Sequence, residues 1–257
     1  MSLPKPYHRN WRAMKPASNS GYSNWGYIID RQYAQSPGHY VRAYEIVQAD
    51  LEKLFEYVEP SPESLQTFSY RIHELLMRTC IEVEANFKAI LTENIYTPQM
   101  DRFGSPIYNM TLYKKVEITH HLSSYEVSLP IWNGPQRIIT PFKDWKARRG
   151  LSWYQAYNAS KHDRHEAFKE ASMEHLLTAI AGLLVVLSSQ FGTQDFSSGE
   201  TLLAASGYEY HDMEAAIGSL FRIKFPSDWP DAEMYDFDWS LLQKQKDRFA
   251  KFDYNKI

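Results

Sequence analysis

The twelve residues from Leu176 to Leu187 contain almost nothing but aliphatic side chains, and they constrain the fold more than any other part of the chain. A helix that is apolar nearly all round has to be covered on every side. This run is too short to cross a bilayer core, which takes about 20 residues. The expectation is a buried central helix with other helices packed around it. At 257 residues the chain is close to the largest size served by one hydrophobic core.

The partners of that helix can be read from hydrophobic periodicity. Tyr40, Val41, Tyr44, Val47, Leu51, Leu54 and Val58 recur at helical spacing and stop before Pro60, which predicts a first helix. Ser61-Pro62-Glu63 combines a hydroxyl cap, a first-turn proline and an early carboxylate, so a second helix is expected from there to about Asn94. Its apolar stripe includes Phe68, and Arg71, Glu74, Arg78 and Glu82 form a charged row that reads as a solvated ion-pair face. A third helix begins at Ser152. Asp163 followed by Glu166 has the form of a capping box, so a fourth is expected from 163 to Phe191, closed by Gly192.

The remaining segments are less regular. Residues 1–37 form an irregular arm whose aromatic side chains pack on the body, and residues 38–192 form the bundle. An excursion at about 95–150 contains a hairpin of Tyr125–Leu129 with Arg137–Ile139 and a short helix near Ile107 to Val116. Residues 193–257 form an extension that wraps the bundle, with helices expected at Met213–Leu220 and from Trp239. The predicted fold is therefore mainly α: an up-and-down bundle of four to five core helices, a small β-hairpin excursion and an N-terminal arm.

Composition bounds the chemistry. The net charge of -3 gives no overall attraction to nucleic acid, so a polyanion would need a local basic patch. The single cysteine, Cys80, excludes an internal disulfide and fits a cytoplasmic location. The first residues lack the apolar segment of a secretory signal, and no membrane association is expected. There is no glycine-rich phosphate loop, and His162, His165 and Glu166 or the pair His120-His121 lack the reinforcing ligands of a second helix, so neither cofactor nor metal is expected.

The candidate site is Tyr157-Asn158-Ala159-Ser160-Lys161-His162-Asp163-Arg164-His165. Asn158 and His162 are four apart on one helix face, and Lys161 adjoins them. A bend at Asp163 would bring Arg164 and His165 to the same point. Histidine exchanges a proton near neutrality, while Lys and Arg hold an anionic phosphorus centre. His162 would take the proton from a ribose 2′-hydroxyl, Arg164 or Lys161 would stabilise the charge on phosphorus, and Asn158 would orient the groups. The structural alternative is a His162 that caps carbonyls or bonds to Glu82 or Glu166.

Tyr157-Asn158-x-x-Lys161-His162-x-Arg164, preceded by Trp153 and followed by a long apolar helix, resembles the signature region of the HEPN superfamily. Glu82-Val83-Glu84-Ala85-Asn86 is similar to the acidic and Asn positions which that superfamily sets opposite its signature. The resemblance covers roughly residues 38–192. It implies a four- or five-helix bundle, a homodimer joined through the signature helices, and metal-independent RNA cleavage as in toxin, defence or RNA-processing systems. His162, Asn158 and Arg164 would be the catalytic positions, with Asn158 standing where active members carry Arg. Lys161, His165, Glu82, Asn86 and Arg78 would be the binding positions. The alternative class is a non-catalytic helical dimer or interaction module.

Overall fold

In a computed structural model, residues 2–135, 137–193 and 213–257 are described. Four helices dominate: α1 (Pro37–Phe55), α2 (Tyr70–Glu93), α3 (Ser152–His162) and α4 (Met173–Phe191). Helix α4 lies at the centre, buried from Leu176 onward except at half-buried Thr178, with α1, α2 and α3 packed against it. Length and composition alone would let α4 cross a membrane, but here its apolar surface is covered by the rest of the chain. The described residues are mainly α-helical with one small antiparallel sheet.

Two helix boundaries differ from expectation, and one contact accounts for both. Ser61-Pro62 starts only a short 3-10 turn, Pro62–Ser64, and α2 begins at Tyr70, where the Ser69 hydroxyl accepts from the Ile72 amide at 3.2 Å. Helix α4 begins not at Asp163 but after Ser172. The first free amides of α4, Met173 and Glu174, donate to the carbonyls of Thr67 and Leu65 at 2.8 and 2.9 Å. After a turn at Leu65 and Gln66 the chain leaves helical conformation, with Phe68 bridged to Ser172 and Ser69 extended, so neither segment continues as helix through the junction.

The hairpin forms as expected and then grows. Strand β1 (Glu126–Ser128) pairs with β2 (Ile138–Ile139), Val127 opposite Ile139. Its other edge pairs with β4 (Arg222–Lys224), which carries β3 (Glu214–Ala215), in the order β2-β1-β4-β3. The helix expected at Met213–Leu220 is therefore a strand and a turn. Met213, Ala216, Ile217 and Leu220 are all buried, as the periodicity implied, but Gly218 and Ser219 take left-handed conformations, φ 78 and 65. The helix expected from Trp239 is a single turn, Trp239–Leu242.

The N-terminal arm is part of the core. Tyr27 and Tyr33 are fully buried, as is Arg9. The Arg9 guanidinium donates to Glu93 Oε1 at 2.6 Å, Gln190 Oε1 at 2.8 Å and the Gln35 carbonyl at 2.6 Å. Burying a guanidinium is costly unless its donors are used and its charge is paired, and three donors here meet acceptors from α2, α4 and the arm itself.

Candidate functional site

Helix α3 is anchored by its aromatic side. Trp153 and Tyr157 are buried, and Trp153 Nε1 donates to the Pro141 carbonyl at 2.9 Å. Gly182 of α4 lets the two helices approach closely, since a Cβ there would sit 3.2 Å from the Trp153 ring. The opposite face carries Ser152, Gln155, Asn158, Ala159 and His162, all exposed or half-exposed and without a large apolar side chain.

At the end of α3 the chain bends on Asp163. Its amide closes α3 by donating to the Ala159 carbonyl at 2.9 Å, and its carboxylate caps the turn Arg164–Ala167 by accepting from the Glu166 amide at 3.2 Å. One residue thus ends one helix and starts another, with Lys161, His162, Arg164 and His165 exposed around it. The side chains of Asn158, His162 and Arg164 form no hydrogen bond or ion pair with any described residue, so His162 is neither a cap nor a partner of Glu82 or Glu166. His165 lies 3.9 Å from Glu166, and both are largely exposed.

Lys161 is held differently. Its Nζ donates to the Tyr157 hydroxyl at 3.0 Å and lies over the same ring at 5.0 Å from the centroid. The bond to Tyr157 raises the Lys161 pKa, so the side chain stays cationic. Burial raises the Tyr157 pKa, and the Lys161 charge opposes that shift. Beside them the Tyr154 hydroxyl donates to Glu84 Oε1 at 2.8 Å.

Glu84, not Glu82 or Asn86, is therefore the α2 residue that meets the signature helix. Arg78, Glu82 and Asn86 follow one another at four-residue steps and share a face, while Cys80 and Glu84 lie about 200° around the helix. Arg78 pairs with Asp50 of α1. Glu82 is half-buried near Arg78 and His39, and burial raises its pKa. Asn86 is buried, donating to the Glu82 carbonyl at 2.9 Å and accepting from Gln190 at 3.0 Å. The structure gathers Asn158, Lys161, His162, Arg164 and His165 at one bend and leaves Glu82, Asn86 and Arg78 away from it.

The sequence reading also missed an aromatic shelf. Phe168 follows the Arg164–Ala167 turn directly and packs against Tyr70 at 4.8 Å, His73 at 5.7 Å and Phe68 at 5.8 Å between ring centroids. Tyr70 is 70% exposed and Phe68 41%, so Phe68 belongs to the surface rather than to the buried stripe of α2. The pattern Phe68-Ser69-Tyr70 at a capped helix start was the available signal. Between 161 and 170 three cations, Lys161, Arg164 and Lys169, alternate with three carboxylates, Asp163, Glu166 and Glu170. The bend offers separate charges rather than a strong uniform field. Among the described residues no three His, Cys, Asp or Glu side chains converge as a metal set.

The chain was compared with known protein families, curated proteins and solved structures, and it matches none of them.

Proposed function

We propose that helices α1 to α4 form a HEPN-like bundle and that the bend at Asp163 binds single-stranded RNA. The supporting observation is that exposed, partly unpartnered cations at the bend lie beside an exposed aromatic shelf. Single-stranded nucleic acid is held by cations that follow the phosphates and by rings on which bases stack. Lys161, Arg164 and Lys169 would serve the phosphates, and Tyr70 with Phe68 would take a base. His162 is the group open to exchange a proton with a 2′-hydroxyl, and Asn158 lies one turn before it to orient the ribose. The polar outer face of α3 favours this reading over a protein interface, whose centre is usually apolar.

The test is anisotropy of a fluorescent 12-nucleotide RNA in EDTA over a range of salt. Lys161→Gln and Arg164→Gln should each lower the salt slope by about 0.7, the single-strand value for one phosphate contact. Tyr70→Ala should weaken binding by about 1–3 kcal/mol, the contribution of one stacked base. Metal-independent cleavage that disappears in His162→Ala would extend the role of the bend from binding to catalysis. Absence of binding at 50 mM salt would overturn the reading.

A further inference from the structure

A second site lies away from the bend, where the charged row of α2 faces α1. The end of α1 and the first turns of α2 enclose an open cleft of about 400 Å³, within the range of small-molecule sites. Surface ion pairs by themselves need no ligand. Here, however, they form the walls of a concavity with Leu54 and Leu75 in its lining and with Tyr57 at 84% exposure.

The charges in the cleft are ordered along it. Asp50 is shared by Arg78 and by Lys53, whose Nζ is 3.1 Å from Asp50 Oδ1, so two cations meet one carboxylate and leave a positive excess. The Arg78 side chain is 39% exposed, and only its Nη2 pairs with Asp50, so a second guanidinium nitrogen is left to face the cleft. Arg71 is neutralised by Glu74 at 3.0 Å. Glu56, toward the other end and beside Tyr57, has no partner among the described residues and leaves a negative excess. Asp50, which holds Arg78, and Glu56, the residue that closes α1, are six residues apart, a rise of roughly 9 Å along the helix axis.

We propose that this cleft binds a short peptide of two or three residues with both termini free. Its carboxylate would meet Arg78 beside Asp50, its ammonium would meet Glu56 and the face of Tyr57, and apolar side chains would lie on Leu54 and Leu75. A ligand of one charge sign would face as many repelling as attracting groups. The α-ammonium and carboxylate of a single amino acid are too close together to reach both ends. An extended peptide spans about 3.3–3.6 Å per residue, which matches the separation at two to three residues.

Calorimetric titration of the full chain with the tripeptide Ala-Phe-Leu tests the site. Saturable one-to-one binding is expected, weakened about tenfold by N-acetylation and again by C-amidation, each of which removes one charge-assisted contact. Glu56→Gln should weaken the free peptide and abolish the discrimination against its acetylated form. Glu56 bonds to no described side chain and is exposed, so a melting temperature matching the wild type would show that the fold is intact. No saturation at millimolar peptide overturns the proposal, as does equal binding of the free, acetylated and amidated peptides.

Discussion

His120 is buried completely, and both ring nitrogens are used. Nε2 bonds to the Arg9 carbonyl at 2.8 Å and Nδ1 faces the Thr119 hydroxyl at 2.7 Å. The carbonyl can only accept, so Nε2 carries the donated proton, and burial keeps the ring neutral with Nδ1 unprotonated. Burial pushes the His120 pKa down from 6.5 to about 3. The unfolded chain therefore takes up a proton as pH falls below 6.5 while the folded chain does not. Stability falls across that window by about 1.4 kcal/mol per pH unit from this group. Glu117, whose pKa is raised by burial, acts in the opposite direction over part of the same range. The comparison of wild type with His120→Gln isolates the histidine: urea unfolding at pH 7, 5.5 and 4.5 should show a shallower acid loss in the variant. Equal slopes would refute the assignment. None of this was legible in the sequence, where His120-His121 is an unremarkable pair and Arg9 sits in a segment without periodicity. Their burial depends on contacts between residues more than a hundred positions apart, which no local pattern records.

The long elements were legible wherever the apolar pattern had one solution. Helices α1 and α4 follow from their stripes, and β1 with β2 from alternation and the Asn133-Gly134 turn. Met213–Leu220 had two solutions, because Met213, Ala216, Ile217 and Leu220 are buried either as a helix face or as a strand and turn. The decision is made by the free edge of β1, which takes β4, and by Gly218, whose φ of 78 breaks a helix. At the candidate site, Asn158, Lys161 and His162 were legible from helix spacing, whereas the shelf of Phe68, Tyr70 and Phe168 depends on the pairing of residues 65–69 with the start of α4. Gly218 offers a test of the corrected element. A Cβ there would clash with Gln48 Oε1, and Gln48 Nε2 donates to the Gly218 carbonyl at 2.9 Å, tying the turn to α1. Gln48 is a long side chain and can swing away, but the left-handed backbone still opposes any Cβ. Gly218→Ala should cost about 1–3 kcal/mol by chemical denaturation, with part of the loss remaining in a Gln48→Ala background. A Gly218→Ala variant as stable as wild type would show that the turn is not built this way.

The two ends of the chain close on one another across the helices. Asp30 of the arm holds Arg248 with two parallel bonds, Nε to Oδ2 at 2.8 Å and Nη2 to Oδ1 at 3.0 Å. Leu3 and Met14 bridge to Tyr235, Tyr7 to Ala250, and Ile95 to Asp253. Tyr235 donates to the Asn10 carbonyl at 2.7 Å, and the Tyr254 hydroxyl lies 2.8 Å from Thr119. The rings of Tyr27, Tyr235, Phe237 and Trp239 pack edge to face or tilted at 5.6 to 6.4 Å between neighbouring centroids. Residues 229–257 therefore complete the core instead of decorating it. Their removal would expose Tyr27 and Tyr33, break the Asp30–Arg248 pair and leave the Asn10 carbonyl without its donor, losses of the same order as the usual 5–15 kcal/mol of a domain. Truncation after Asp228 should abolish the cooperative melting transition and the near-ultraviolet circular dichroism while much of the helical signal persists, with binding of a hydrophobic dye at neutral pH. The full chain should unfold in one step by tryptophan fluorescence and far-ultraviolet circular dichroism alike. A truncated chain that still melts cooperatively within a few degrees of the intact one would mean that α1 to α4 carry the fold alone and that the arm and tail are only attached to it.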